Sequence, residues 1–377
     1  MKVPFNKNSL GGNEFDYIKQ AVANNYLQGD GQFSKKCHEL LQQLCGTNCA
    51  LLTCSCTLSL EMAAILADIK PNDEVILPSF TFVSTASAFA LRGAKLVWCD
   101  VDSSTMNMNA DLLENLITEK TKAIVPVHYA GAACDMDKIC AVAKKHNITV
   151  IEDAAQAMLS YYDKKPLGTF GPLGSVSFHG TKNIVCGEGG AILVNDQKYE
   201  DKAYIIREKG TNRRKFLKGE IDKYTWVDLG SSYLPSEINA AFLLSQLEHA
   251  KELTQRRVQK WDIYAKELSP LEKSGKIKIG KILPKAEHNA HIFYFLTESE
   301  KVADSLMKHL KENGIAACSH YAPLHMSPMG EKFSARGRQS LPVTEKAYNS
   351  LVRLPIYADL DTDSQQYVCE KVFDFWK

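Results

Sequence analysis

At 377 residues the chain is too long for one ordinary domain and long enough for a large α/β enzyme with a smaller appended unit. Hydrophobic residues make up 45%, charged residues 24%, and the net charge is +1 with no long single-sign block. This excludes an electrostatic case for binding nucleic acid or a membrane surface. The opening MKVPFNKNSLGGNEF has no apolar signal core, and no stretch is long enough to span a bilayer. With eleven irregularly spaced cysteines, these features lead us to expect reduced thiols in a cytoplasmic protein. Cys54 and Cys56 form a CxC, but no second cysteine pair or histidine cluster completes a tetrahedral set, so no metal is expected.

In chain order, EFDYIKQAVANN and FSKKCHELLQQLCG carry helical patterns, separated by the glycine-rich turn LQGDG. A rhythm of apolar runs and helices follows. CALLTC leads into TLSLEMAAILADI, EVILPS into FVSTASAFALRG, AKLVWCDVD into ADLLENLI, and TKAIVPVHY into MDKICAVAKKHN; ITVIEDAA ends the series. Short strands alternating with longer helices imply βαβ units and an α/β fold with a mostly parallel sheet covered on both faces. GSVSF and AILVND add two further strands. From residue 235 one long helix is expected. HIFYFLT, VADSLMKHLKENG and DSQQYVCEKVFDFW then suggest a smaller α+β domain. The expected division is 1–250 for the large domain and 251–377 for the small one.

Ligands in open α/β sheets lie beyond the carboxyl ends of the strands. After CALLT come Ser55, Cys56 and Thr57, opening directly into a helix. They could bind an anion through the free N–H groups there, or simply cap the helix. Phe80 and Phe82 follow the second strand, and either could stack on a flat ring or pack in the core. Asp153 ends a very apolar strand, where a carboxylate needs a strong partner; it could also cap a following helix. Ser177, His179 and Lys182 stand at the end of GSVSF, with Gly187, Gly189 and Gly190 close behind. Desolvation lowers a lysine's pKa and makes its amine nucleophilic. A phosphate anchor, an aromatic platform, a buried aspartate and a lysine, in that order, describe a site for pyridoxal 5′-phosphate (PLP). There the aspartate would hold the pyridine nitrogen protonated and the lysine would hold the cofactor as a Schiff base. No GxGxxG follows the first strand, which excludes the dinucleotide fingerprint.

The blocks IEDAAQA, SFHGTKN and GEGGAILVND, in that order, resemble the DegT/DnrJ/EryC1/StrS sugar aminotransferases within the fold-type I PLP enzymes. The resemblance covers nearly the whole chain. It implies Lys182 as the cofactor-binding lysine and later the base, Asp153 as the pyridinium partner, and Gln156 near the phenolic oxygen. It further implies Phe82 stacked over the ring, and Cys56, Thr57 and Ser177 at the phosphate. The opening PFNKNSLGGNEFDYI, the segment REKGTNRRKFLKGEIDKYTWVDLGSSYLPSEINAAFL and the later SHYAPLH resemble one branch of the family. That branch aminates dTDP-4-keto-6-deoxy-D-glucose with glutamate, giving dTDP-4-amino-4,6-dideoxy-D-galactose. The resemblance also implies a homodimer with shared active sites, in which Ser232 of GSSYL stands where relatives carry an asparagine reaching the neighbouring subunit's cofactor phosphate. His179, His320 and His325 are possible substrate contacts; the last two could equally pack. Gly180 occupies a position where relatives commonly carry Glu or Pro. Sugar dehydratases on the same scaffold replace the lysine with histidine, so Lys182 argues against that reading. A non-catalytic regulatory protein would be expected to lose Lys182 or Asp153.

Overall fold

A computed structural model describes residues 1–377. Its strands are β1 (Cys49–Thr53), β2 (Glu74–Pro78), β3 (Lys95–Cys99), β4 (Thr121–Ile124), β5 (Thr149–Asp153), β6 (Tyr161–Tyr162), β7 (Lys165–Pro166), β8 (Leu173–Ser177), β9 (Gly190–Val194), β10 (Ile277–Ile279), β11 (Ala286–Glu287), β12 (Phe293–Thr297) and β13 (Leu351–Leu354). Seven of them form the central sheet in the order β1-β9-β8-β5-β4-β2-β3. The sheet is the mostly parallel α/β type expected. Its one reversed strand is β9, antiparallel to both β1 and β8. The segment 178–189 joining β8 to β9 contains no helix, so it makes a return rather than a crossover.

Successive residues of each strand face opposite sides, and both sides are buried. Ala50, Leu52, Val150 and Leu193 pack under the helices Gln32–Cys45 and Glu237–Glu248, whereas Leu51, Ile151 and Ile192 pack with the helix Cys56–Leu66. The helix Gln32–Cys45 shows how the pattern works, because Phe33, Cys37, Leu41 and Cys45 recur every fourth residue and all are buried. Each large apolar side chain so buried contributes about 1.5–3 kcal/mol.

The single long helix expected from residue 235 is two helices, Glu237–Glu248 and Ala250–Lys273, broken at His249. The His249 ring Nδ1 bonds the Ser245 carbonyl at 2.9 Å, the acceptor that its own backbone N–H would take in a continuous helix. The second of these helices serves two cores. Ala250 and Leu253 belong to the core of the central sheet, and Tyr264, Leu268 and Leu271 to that of the sheet β10-β12-β13. Val3, far away in sequence, joins the latter core and donates its N–H to Gly314 O at 2.9 Å.

Candidate active site

At the carboxyl ends of β1, β5 and β8 lies a cavity of about 670 Å³, bounded on its other side by β13 and the segment around His320. β1 delivers the turn Cys54–Ser55, and Ser55 caps the helix Cys56–Leu66 by accepting from Leu58 N–H at 3.2 Å. Ser55 thus caps the helix, and it lines the cavity together with Cys56 and Thr57. The Thr57 hydroxyl lies 2.7 Å from that of Ser84. Gly190 makes this turn possible: a Cβ there would sit 2.4 Å from the Cys56 nitrogen. β9 thus presses directly against the start of the helix. Gly180, by contrast, has room for a side chain, the nearest atoms to a Cβ there being at an ordinary contact distance of 3.8 Å.

Asp153 ends β5 on the face covered by the helices Cys56–Leu66 and Val83–Ala90, and it is buried. No helix follows it. Its Oδ2 accepts from the Thr85 hydroxyl at 2.7 Å and its Oδ1 from Ala155 N–H at 3.1 Å. Thr85 is steadied in turn by Thr81, hydroxyl to hydroxyl at 2.8 Å. The strong partner required by the sequence is this hydroxyl and one amide; no cation takes that place.

Lys182 follows β8, on a turn in which its N–H bonds His179 O at 2.9 Å. Its side chain lines the cavity. Burial pushes the ammonium below the usual lysine value; the Arg353 charge acts in the same direction, and Cys56 and Asp153 oppose it. Burial pushes the Cys56 thiol up, so it is neutral. Ser177, also lining the cavity, accepts weakly from His179 N–H at 3.3 Å.

Gln156 bridges the two sides of the cavity. Its Oε1 accepts from Ala130 N–H at 2.8 Å, and its Nε2 donates to the Tyr321 hydroxyl at 2.9 Å. Tyr321 stacks on His320 with ring centroids 3.6 Å apart, and His320 Nδ1 lies 2.7 Å from the Tyr129 hydroxyl. Burial, together with the charges of Arg353 and Lys182, holds His320 well below its usual pKa, so it is neutral here.

The structure separates the remaining candidates. Phe82 is 58% exposed and lines the cavity, whereas Phe80 is buried against Tyr129 with ring centroids 5.2 Å apart. His179 stands at the rim, its Nε2 3.6 Å from Glu188. His320 faces the cavity, but His325 does not. It is buried, with Nδ1 2.7 Å from the Ser79 hydroxyl and Nε2 3.3 Å from Glu345, and so cannot touch a substrate. The apparent loop SHYAPLH turns inward after Pro323, and this corrects the expectation for His325. Ser232 is exposed and lies outside the cavity of its own chain.

Thr85, Tyr129, Tyr321, Arg257 and Arg353 were not picked out from the sequence. Only Arg353 carried a local signal, a charge within the apolar run LVRLPIY.

The donor set fits a phosphorylated aromatic aldehyde. It offers helix N–H groups and hydroxyls at one end, an unpaired buried amine, and a buried carboxylate with no cation. An exposed aromatic ring and neutral polar groups complete it.

A profile of the DegT/DnrJ/EryC1/StrS aminotransferase family matches residues 8–373. The chain is 30% identical over 376 residues to a GDP-perosamine synthase of Escherichia coli O157:H7, covering 99% of this chain and 98% of that one. It is 36% identical over 322 residues to a pleiotropic regulatory protein of Geobacillus stearothermophilus, covering 85% of this chain and 82% of that one. Among solved structures, the aminotransferase TlmJ of Streptoalloteichus hindustanus is similar with a TM-score of 0.91 and 25% identity, covering 100% of this chain and 99% of that one.

Proposed function

From the premise that the chain belongs to the DegT/DnrJ/EryC1/StrS aminotransferase family and is a PLP-dependent sugar aminotransferase, we propose the reaction it performs. It transfers an amino group from L-glutamate to C4 of a nucleotide-linked 4-keto-6-deoxy hexose. The substrate we propose is dTDP-4-keto-6-deoxy-D-glucose, and the products are dTDP-4-amino-4,6-dideoxy-D-galactose and 2-oxoglutarate. The observation that carries the reading is Lys182, an amine depressed by burial and facing a cavity that Asp153 also lines.

When bound, PLP supplies an electron sink and the carbonyl carbon that exchanges amino groups. The protein's own residues do the rest. Lys182 Nζ, unprotonated more readily than a surface lysine, is the nucleophile and then the base that takes the proton from the donor's Cα. Asp153, oriented by Thr85 and Ala155 N–H, would keep a proton on the cofactor's ring nitrogen. The N–H groups of the helix Cys56–Leu66, with Thr57 and Ser177, would hold the phosphate. Phe82 would cover one ring face, and Gln156 would meet the phenolic oxygen.

Blocks such as GTNRRKFLKGEIDKYTW and GSSYL support the dTDP-linked substrate. The likeness to a protein named GDP-perosamine synthase favours a second reading, a GDP-linked sugar. We also propose a homodimer in which Ser232 reaches the partner's phosphate site. Leu217, Trp226 and Leu229, 65%, 73% and 54% exposed on the same excursion as Ser232, would supply apolar contact area.

The test is a pair of half-reactions followed by cofactor absorbance. Glutamate should bleach the PLP band and the dTDP-keto sugar restore it, with the product identified by NMR. Faster return with the GDP sugar would move the assignment to the second reading. A band that ignores glutamate and both sugars would overturn the proposal.

A further inference from the structure

One ring nitrogen in the cavity is held in place and left without a partner. His291 stands just before β12 and lines the cavity together with Lys182. Its backbone N–H donates to Asn289 Oδ1 at 3.0 Å, and its carbonyl accepts from Arg257 Nη2 at 2.8 Å. Asn289 is locked in turn, its Nδ2 donating to the carbonyls of Gln156 and Met158, each at 2.8 Å. The imidazole is fixed by Asn183, the residue after Lys182. Asn183 Nδ2 donates to the Asn289 carbonyl at 2.8 Å, which turns its Oδ1 toward His291 Nδ1, 3.0 Å away. A carbonyl only accepts, so the amide has one orientation and Nδ1 must carry the proton. Burial, with the charges of Lys182, Arg257 and Arg353, holds the ring well below its usual pKa, and it is neutral. Nε2 is therefore an acceptor, and no donor of the protein meets it.

We propose that His291 Nε2 accepts a hydrogen bond from the C3 hydroxyl of the keto-sugar, and so reads the amino acceptor. This rests on the sugar aminotransferase reading above and adds to it a residue that serves one half-reaction only. The choice of ligand follows from what each visitor to the cavity offers. Glutamate brings two carboxylates, which only accept, and its amine goes to the cofactor. PLP brings a phosphate and a phenolic oxygen, and its ring N–H belongs to Asp153. A lone pair directed into the cavity gains nothing from any of these acceptors. A hexose brings hydroxyls, which donate. Position then selects among them. Asn183 ties the imidazole to the residue beside Lys182, whose amine works at C4. C3 is the only hydroxyl-bearing carbon bonded to C4, since C5 carries the ring oxygen and the methyl group. The nucleotide hangs from C1 and does not enter the choice.

The experiment compares His291→Phe and His291→Gln with the wild-type holoenzyme in each half-reaction separately, by single-turnover absorbance. L-Glutamate is titrated against the PLP form. The nucleotide keto-sugar and its 3-deoxy counterpart are titrated against the pyridoxamine form. His291→Phe keeps a ring and removes the acceptor, leaving a sugar hydroxyl unpaired. Its second-order rate with the keto-sugar should fall roughly 5- to 50-fold. His291→Gln, which keeps an oxygen acceptor, should recover part of that loss. The glutamate half-reaction should change by less than about threefold in both variants. The 3-deoxy sugar gives the readout that a merely structural role would not move. It has no donor to lose, so wild type and His291→Phe should use it within about twofold of each other. Equal losses on glutamate and sugar would make His291 a support for Lys182 and overturn the proposal. A loss on the 3-deoxy sugar as large as on its parent, or no loss on the parent, would overturn it too. A wild type bleached by glutamate but restored only by a different keto-sugar would revise the substrate of the reading above. The same comparison between that sugar and its deoxy counterpart then tests His291.

Discussion

Glu152 and Asp153 are consecutive residues at the end of one strand, both buried, and they face opposite sides of the sheet. Glu152 is saturated. It accepts from Gly168 N–H at 2.8 Å, Phe170 N–H at 2.6 Å and Gly171 N–H at 2.8 Å, and its Oε2 lies 3.0 Å from His128 Nε2. His128 Nδ1 accepts from Cys134 N–H at 3.2 Å, so Nε2 carries the proton and donates to the carboxylate. Asp153 has only Thr85 and Ala155 N–H and keeps acceptor capacity toward the cavity. One carboxylate staples the fold, and the other is left with lone pairs to use. The same contrast holds for cations. Buried Arg207 meets Asp30 at 2.7 Å and Leu52 O at 2.7 Å, whereas Lys182 feels the Asp153 charge without forming an ion pair. Glu152 and Arg207, which do not line the cavity, are spent on structure, and Asp153 and Lys182, which line it, are held in reserve.

The largest effect expected from breaking this division is at Lys182. Lys182→Ala should slow the glutamate half-reaction by about 10³-fold or more, since a positioned base alone is worth roughly 10²–10⁴. Rapid mixing followed by cofactor absorbance measures it, and a residual rate within tenfold of wild type would remove Lys182 from the chemistry. Asp153→Asn keeps shape and removes charge. It should cost roughly 10²-fold in rate, with an unfolding free energy changed by less than about 1 kcal/mol, because few donors are orphaned. Glu152→Gln should do the reverse. An amide facing three backbone donors should lower stability by roughly 2–4 kcal/mol in urea unfolding while the rate per folded molecule stays near wild type. If the two adjacent substitutions gave the same pair of readouts, the division between structural and reserved carboxylates would fail. Thr85→Val is smaller again, removing one hydrogen bond to the Asp153 carboxylate. About tenfold in rate is expected, measured as before, with Thr85→Ser retaining most of it.

Much of this site could be read along the chain because its central parts lie at strand ends, where an apolar run stops and a polar residue must have a reason. Asp153 after ITVIE and Lys182 after GSVSF are such places, and the alternation of runs and helices indicated the sheet that aligns them. The partners were harder to see. Thr85 is 68 residues from Asp153 and Tyr321 is 165 from Gln156, and nothing local to a threonine or tyrosine reports such distant neighbours. His325 was misread for the same reason, since its burial depends on Ser79, 246 residues earlier. The break at His249 comes from a side chain competing for a backbone acceptor inside an otherwise continuous apolar pattern. The direction of β9 was within reach, because a short non-helical connection favours an antiparallel return.

The finest distinction concerns Lys182 in the protein stripped of cofactor. Its pKa is lowered, chiefly by burial, so the folded chain gives up that proton at a lower pH than the unfolded chain, which follows the ordinary lysine value near 10.4. Between the two values the unfolded state binds more protons, and stability contributed by this group therefore rises with pH across that window. Lys182→Met removes the titration and fills the site with an apolar stem. The variant should be more stable than wild type, and its advantage should shrink as pH is raised toward 10.4 and level off below the native pKa. Urea midpoints of the two apoproteins across that range test it. A gap that stayed constant or widened with rising pH would show that the amine is solvated in the apoprotein, and that its reactivity is set only when the cofactor arrives.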